Sequence, residues 1–349
     1  LALEIAFAIP GDINQPTGGY GYARALIATA PALGARLDVI PLPDGFPYPD
    51  ANALAETERR LSGLPRTLPI LVDGLAFGAF PVDLVRQLDR CWVALCHHPL
   101  ALETGLDAKT ADHFRRTEIA ALSAARAVIV TSMATKNLVV AEFGVTPEQV
   151  TVAPPGVTRR PRAQRNGTPP QMLAVGSLTP RKGYDLLIEA LAQIQDRPWR
   201  CRIVGAADRD PATAEAVRAA IAAAPLTDRV ELTGALRDAE LDRAYAEADI
   251  FVHPAYFEGY GMAVADALAV GLPVIGAAAA ATVALVPPSA GLLFPVGDAS
   301  GLAAAMTALL DDPARAAALG EGAWIAGQSL PDWRDTTRAV MTACERASQ

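Results

Sequence analysis

The sequence predicts an α/β protein made of two doubly wound, Rossmann-like domains. Three observations carry that expectation. Short apolar runs of strand length alternate with helix-length amphipathic stretches along nearly the whole chain, which calls for parallel sheets with right-handed helical crossovers. The alternation breaks once, at residues 153–171 (APPGVTRRPRAQRNGTPPQ), where Pro, Gly and Arg crowd together without an apolar period; this reads as an interdomain linker. The chain's 349 residues are enough for two domains of ordinary size, each burying its own core.

The first strand is expected at residues 3–9, an apolar run stopped by Pro10 and Gly11. The loop GDINQPTGGYGYA then leads into a helix reaching about Ala30. Further strands are expected at 37–42, 69–72, 91–96, 127–130 and 150–152, with helices at 52–61, 109–126 and 133–142. The strand at 69–72 ends on Asp73 and Gly74, and the one at 91–96 runs directly into His97, His98 and Pro99. Beyond the linker, strands at 172–175, 202–204, 230–233, 250–252 and 274–275 alternate with helices at 184–195, 212–224, 239–246, 261–270 and 301–310. The tail after Pro331, containing Trp333, is expected to form a helix that crosses back over the first domain. The domains are therefore drawn as 1–157, joined by helix 333–349, and 158–332.

Composition narrows the class. The chain is 51% hydrophobic and 19% charged, with net charge -8, which suits a globular protein and argues against a broad nucleic-acid footprint. No apolar run reaches the roughly 18 residues of a spanning helix. Arg115 and Arg116 are too small a basic cluster to argue a membrane patch, although peripheral membrane contact stays compatible with the sequence. Cys91, Cys96, Cys201 and Cys344 match no metal or disulfide spacing, and Cys91 and Cys96 should face opposite sides of their strand. With no disulfide framework in view, a reducing cytoplasm is the expected setting, and residues from Leu1 on do not read as a basic-then-apolar leader.

The chemistry concentrates in HPAYFEGYGMAVADALAVGLPVIG, residues 253–276. An apolar strand there gives way to a loop holding Glu258, then to a helix holding Asp266 and stopped by Gly271 and Pro273. A carboxylate facing a Gly-Tyr-Gly turn can accept hydrogen bonds from sugar hydroxyls. The amides of Gly259, Tyr260, Gly261 and Met262, at a helix start, favour a phosphate. A second stretch, VGSLTPRKGYDLLIEAL (175–191), places Thr179 and Pro180 as cap and first-turn residues before Arg181 and Lys182. Two cations at a helix start oppose the dipole and call for a compensating anion, which a diphosphate would supply. The pattern is not a Walker P-loop, because Arg181 stands where that motif requires glycine. In the front loop, Pro16, Thr17, Gly18 and Gly19 allow close backbone approach to a ligand. A dinucleotide fingerprint beginning at Gly19 and Gly21 fails at Arg24.

The acid-loop stretch resembles the donor-site signature of the family 4 glycosyltransferases, in which two glutamates are separated by seven residues. Glu258 and Asp266 hold those positions, with Asp266 one methylene shorter than the usual second glutamate. The resemblance covers nearly the whole chain. It implies the GT-B fold, two doubly wound domains facing across a cleft, and a retaining transferase that moves a sugar from a nucleotide-diphosphate donor to an acceptor. It further implies that Glu258 meets the sugar hydroxyls, Asp266 the ribose, and Arg181 and Lys182 the leaving diphosphate. Gly18 and Gly19 would close over the donor, and His97 (with His98 as the alternate) would orient the sugar or acceptor. Asp73 and Glu103 are acceptor-side candidates. Neither a metal nor a resident cofactor is called for; the nucleotide sugar is a co-substrate.

Rivals on the same architecture are a sugar-nucleotide epimerase, a phosphorylase, or a non-catalytic nucleotide-sugar binder. Asp208-Arg209-Asp210 spells the DxD pattern of metal-dependent sugar transferases, but Asp210 before Pro211 reads more simply as a helix cap. His253 reads as packing, or as support behind the acid. After Gly276 the run AAAAATVALV replaces the paired glycines and acid of many relatives.

Overall fold

The computed structural model of the chain describes residues 3–15, 17–103 and 105–349, apart from the side chain of Asp238. The chain divides into two compact units, Leu1–Gly156 with Pro331–Gln349, and Val157–Leu330.

Unit 1 runs β1 (Leu3–Pro10), α1 (Gly18–Thr29), β2 (Ala35–Leu42), α2 (Ala51–Ser62), β3 (Ile70–Asp73), α3 (Gly74–Phe77), α4 (Val82–Leu88), β4 (Trp92–Cys96), α5 (Ala108–Ala124), β5 (Ala127–Val130), α6 (Met133–Glu142) and β6 (Val150–Val152). The strands form one parallel sheet in the order β2-β1-β3-β4-β5-β6. Strand alternation sends Ala6, Ala8, Trp92, Ala94 and Cys96 into one core and Ile5, Phe7, Ile9, Cys91, Val93 and Leu95 into another. Both faces of the sheet are thus covered, as a parallel sheet requires. Asp50, Asp107 and Ser132 cap α2, α5 and α6 by accepting a backbone N–H three residues on. Helices α3 and α4 were not expected: at 4 and 7 residues they are too short to show an apolar period.

Unit 2 runs β7 (Gln171–Val175), α7 (Tyr184–Ala192), β8 (Arg200–Val204), α8 (Pro211–Ala223), β9 (Val230–Gly234), α9 (Asp238–Ala246), β10 (Ile250–His253), α10 (Met262–Ala269), β11 (Val274–Ala277), α11 (Ala280–Leu285), β12 (Gly291–Phe294), α12 (Ala299–Leu310) and α13 (Pro313–Gln328). Its parallel sheet has the order β12-β11-β10-β7-β8-β9, so the chain winds one way from β7 and the other way from β10. The sequence left β12, α11 and α13 unread. Helix α13 carries Gly320, Gly322 and Gly327, which lower helix propensity. The helix tolerates them because it packs backbone to backbone: Gly327 lies against the Leu268 carbonyl, where a Cβ would collide.

The stretch read as a linker holds the unit boundary at Gly156/Val157, and from there on it is strapped onto unit 2. Arg159 donates to the carbonyls of Gly327 and Leu330, both at 2.7 Å, Arg162 pairs with Glu321, and the Ala163 amide donates to Val270 at 2.9 Å. Its arginines are consumed by carboxylates and helix-end carbonyls, so their polarity does not signal solvation. The last helix, α14 (Trp333–Ser348), belongs to unit 1. It starts on an Asp332–Asp335 capping box and inserts Val340, Ala343, Cys344 and Ala347 into the core that holds Ile5 and Phe7. Thr336 Oγ1 donates to the Pro154 carbonyl at 2.7 Å, fastening the helix where β6 ends. No helix among the described residues is long and apolar enough to cross a membrane.

Candidate active site

In unit 2 the winding reverses between β7 and β10, which lie side by side. Crossovers leaving two such strands go to opposite faces, and a crevice opens at their carboxyl ends. The loop after β7 carries Arg181 and Lys182 on the short 3₁₀ turn Pro180–Lys182, and the loop after β10 carries Glu258. A backbone hydrogen bond from Tyr256 N to Arg181 O, 2.9 Å, ties the two loops together. Gly183 ends the turn at φ +66°, with the Pro254 carbonyl occupying the space a Cβ would need.

The side chains converge. Lys182 Nζ donates to Glu258 Oε2 at 2.5 Å, and Arg181 Nη1 lies 3.4 Å from Oε1. His253 Nε2 stands 3.5 Å from Oε2, with that side chain only 2% exposed. Burial pushes the Glu258 carboxyl up, but Lys182, His253 and Arg181 outweigh it and hold its pKa at about 2. Burial lowers the His253 pKa to about 4 against the opposing pull of Glu258, leaving a neutral imidazole at pH 7. The compensating anion that the sequence reading sought outside the protein is therefore supplied from within, by Glu258. The Thr179 side chain makes no capping hydrogen bond, contrary to its expected cap role.

Helix α10 begins after Gly261, which caps it at φ +97° beside the Glu258 side chain. Gly259, Tyr260, Gly261 and Met262 thus lead into the helix start next to the acid. Asp266 lies one turn further on. Its Oδ1 accepts from Arg160 Nη1 at 2.9 Å, and the same guanidinium pairs with Asp242 and stacks over Tyr245, 5.6 Å from the ring centre. Burial raises the Asp266 pKa, opposed by Arg160. Arg160, Asp242 and Tyr245 escaped the sequence reading. Arg160 lies in the stretch read as a linker, 106 residues from Asp266, and no local pattern joins the two.

Unit 1 has its own reversal, between β1 and β3. Gly18 and Gly19 open α1 after β1, capped by Thr17 Oγ1, which accepts from Tyr20 N at 3.5 Å; Pro16 of the same loop lies outside the described residues. A Cβ on Gly19 would lie 3.6 Å from the His97 ring. His97 Nε2 is 3.9 Å from Asp73 Oδ2, and the edge of Tyr22 meets the ring at 5.2 Å between centres. Burial lowers the His97 pKa, opposed by Asp73, and raises that of Asp73, opposed by His97 and the Leu75 amide. Gly19, His97 and Asp73 thus share one spot, with His98 half-buried on the same loop. Glu103 stands exposed past the turn Leu100–Leu102, and no described contact links it to this group. Asp210 caps α8, accepting from Thr213 N at 2.9 Å. Among the described residues no group of three or more His, Cys, Asp or Glu is placed to hold a metal ion.

The family model for glycosyl transferases group 1 matches residues 158–324, nearly all of the unit that carries the basic turn and the acid loop. Unit 2 is a group 1 glycosyltransferase domain. The chain is 31% identical over 235 residues to D-inositol 3-phosphate glycosyltransferase of Kineococcus radiotolerans, covering 59% of the chain. The match spans only about half of that relative, 54% of its length. Sucrose-phosphate synthase from Thermosynechococcus elongatus superposes with a TM-score of 0.81 at 23% identity, covering 98% of each chain. Anabaena HepE in complex with UDP-glucose superposes with a TM-score of 0.77 at 20% identity, covering 97% of this chain and 98% of that one. At such identities these likenesses establish the GT-B fold.

Proposed function

We propose that the chain is a retaining glycosyltransferase that takes a sugar from a nucleoside-diphosphate donor held on unit 2. The observation that carries the reading is the meeting of Arg181, Lys182 and Glu258 at the β7/β10 reversal. A donor diphosphate entering there competes with Glu258 for the two cations. Once they turn to the phosphates, the Glu258 carboxylate is released to accept hydrogen bonds from sugar hydroxyls. Arg181 and Lys182 then neutralise the charge that develops on the departing diphosphate, the task a metal performs in other sugar transferases. The amides of Gly259, Tyr260, Gly261 and Met262 add fixed donors, and Asp266, oriented by Arg160, accepts from the ribose.

On unit 1, Gly18 and Gly19 allow close backbone approach to a ligand, and His97, its pKa lowered by burial against the pull of Asp73, orients sugar or acceptor; His98 is the alternate. No carboxylate is assigned as a covalent nucleophile. Retention without one, which the family resemblance implies, has the acceptor attack on the face the diphosphate leaves, with a leaving phosphate oxygen taking its proton. The UDP-glucose bound by HepE and the transferase name of the inositol-phosphate relative support a nucleotide-sugar donor. The cytoplasm, where nucleotide sugars are made, is the proposed setting.

The test is a thermal-shift panel of nucleoside diphosphates and their sugars on wild type and Lys182→Ala. Selective stabilisation of wild type by one base, weakened in the variant, is expected. No shift with any member sinks the reading. Donor incubated without acceptor separates the nearest rival, since an epimerase returns an isomeric nucleotide sugar.

A further inference from the structure

Glu118 is an unusual residue for its position. It lies on α5 with 4% exposure, where a carboxylate is costly to hold. Burial raises its pKa to about 7 against two backbone hydrogen bonds. Those bonds show what it does: Oε1 accepts from Leu100 N at 2.6 Å and Oε2 from Ala101 N at 2.9 Å. The two amides open the turn Leu100–Leu102, three residues past His97 and joined to it through His98 and Pro99. An N-terminal turn leaves its first amides unsatisfied, and two acceptors on adjacent N–H groups are what a carboxylate supplies and a carboxamide does not.

The preceding residue reaches the other loop. Thr117 Oγ1 donates to the Gly78 carbonyl at 2.5 Å, and Gly78 closes α3, the helix whose N-cap is Asp73. Gly78 is pressed against Glu118 itself: a Cβ there would lie 2.8 Å from Glu118 Cγ. Consecutive residues of one helix thus grip the segments leaving β3 and β4, which present Asp73 and His97.

We infer that Glu118, seconded by Thr117, is a positioning residue that sets the His97 loop against Asp73. Its value for catalysis rests on the role proposed for His97, but the positioning claim can be tested without donor or acceptor. The chain has 4 histidines, so ring NMR signals are few, and His97→Asn assigns the one that matters. In wild type the His97 ring should titrate below the ordinary histidine value, because burial outweighs Asp73. In Glu118→Gln one backbone amide meets an NH₂ group, the loop relaxes toward water, and the His97 titration should rise by roughly half a unit or more.

Thr117→Val, which removes one hydroxyl and keeps the packing, should move it in the same direction by less, and serves if Glu118→Gln folds poorly. Leu122→Ala, a core truncation on the same helix, should lower the melting temperature and leave the His97 titration in place. An unchanged His97 titration in both Glu118→Gln and Thr117→Val, or an equal shift in Leu122→Ala, overturns the inference. The outcome is independent of whether any nucleotide sugar is turned over.

Discussion

Lys182→Ala is the sharpest perturbation of the basic turn. Lys182 and Glu258 are each only 13% exposed and meet at 2.5 Å, whereas Arg181 is 34% exposed and stands at 3.4 Å. Removing the lysine therefore takes away the nearer and better shielded of the two cations. A charge-assisted hydrogen bond nets about 1.5 to 3 kcal/mol, so losing one to the leaving diphosphate should lower kcat/KM roughly 10- to 150-fold. The same cation contributes to stability. The Glu258 pKa falls from 4.5 to about 2, and each unit is worth about 1.4 kcal/mol, so Lys182, His253 and Arg181 together contribute on the order of 3 kcal/mol, net of the burial cost. Because the folded pKa is depressed, that stability is present above pH 4.5 and is lost as pH falls toward about 2. Turnover is read from nucleoside diphosphate released by whichever donor the thermal-shift panel selects, and stability from melts between pH 7 and pH 3. Lys182→Ala should be slower and should show a flatter acid limb. Turnover within twofold of wild type together with an unchanged acid limb would refute the reasoning.

Three other outcomes are expected. The His253 pKa drops from 6.5 to about 4, so the folded state resists protonation and stability should fall as pH drops through that window; His253→Gln should lose this slope, and melts that keep it would remove His253 from the account. Arg160→Ala leaves Asp266 and Asp242 without their shared cation and should weaken nucleoside diphosphate binding several-fold by calorimetry, as should Asp266→Ala; equal affinity in Asp266→Ala and wild type would count against the ribose role. Turnover should survive a divalent-cation chelator, and its complete loss would return attention to Asp208 and Asp210.

The elements were legible wherever a local signal existed. β5, α6 and β6 lie on their expected bounds because an apolar run or a side-chain cap marks each end, as Ser132 does for α6. Cys91 and Cys96 enter opposite cores, as strand alternation requires. The misses have local causes too. Helices α3 and α4 are too short to show a period, α11 is alanine-rich without a polar face, and α13 looks broken by glycines that exist to meet a neighbouring backbone.

What the amino-acid order determined by itself is therefore local: the strand and helix inventory, the caps, and the charge types held at Arg181, Lys182, Glu258 and Asp266. Strand order was beyond it, and strand order is what brings residues 76 positions apart to 2.5 Å. Tertiary structure also decided the ionisation of Glu258 and His253, the capture of Asp266 by Arg160, and the hold of Glu118 on the loop after His97. The physical reason is common to all four. A pKa or an ion pair depends on distance and on exclusion of water, and neither is set until sheet and helices have packed.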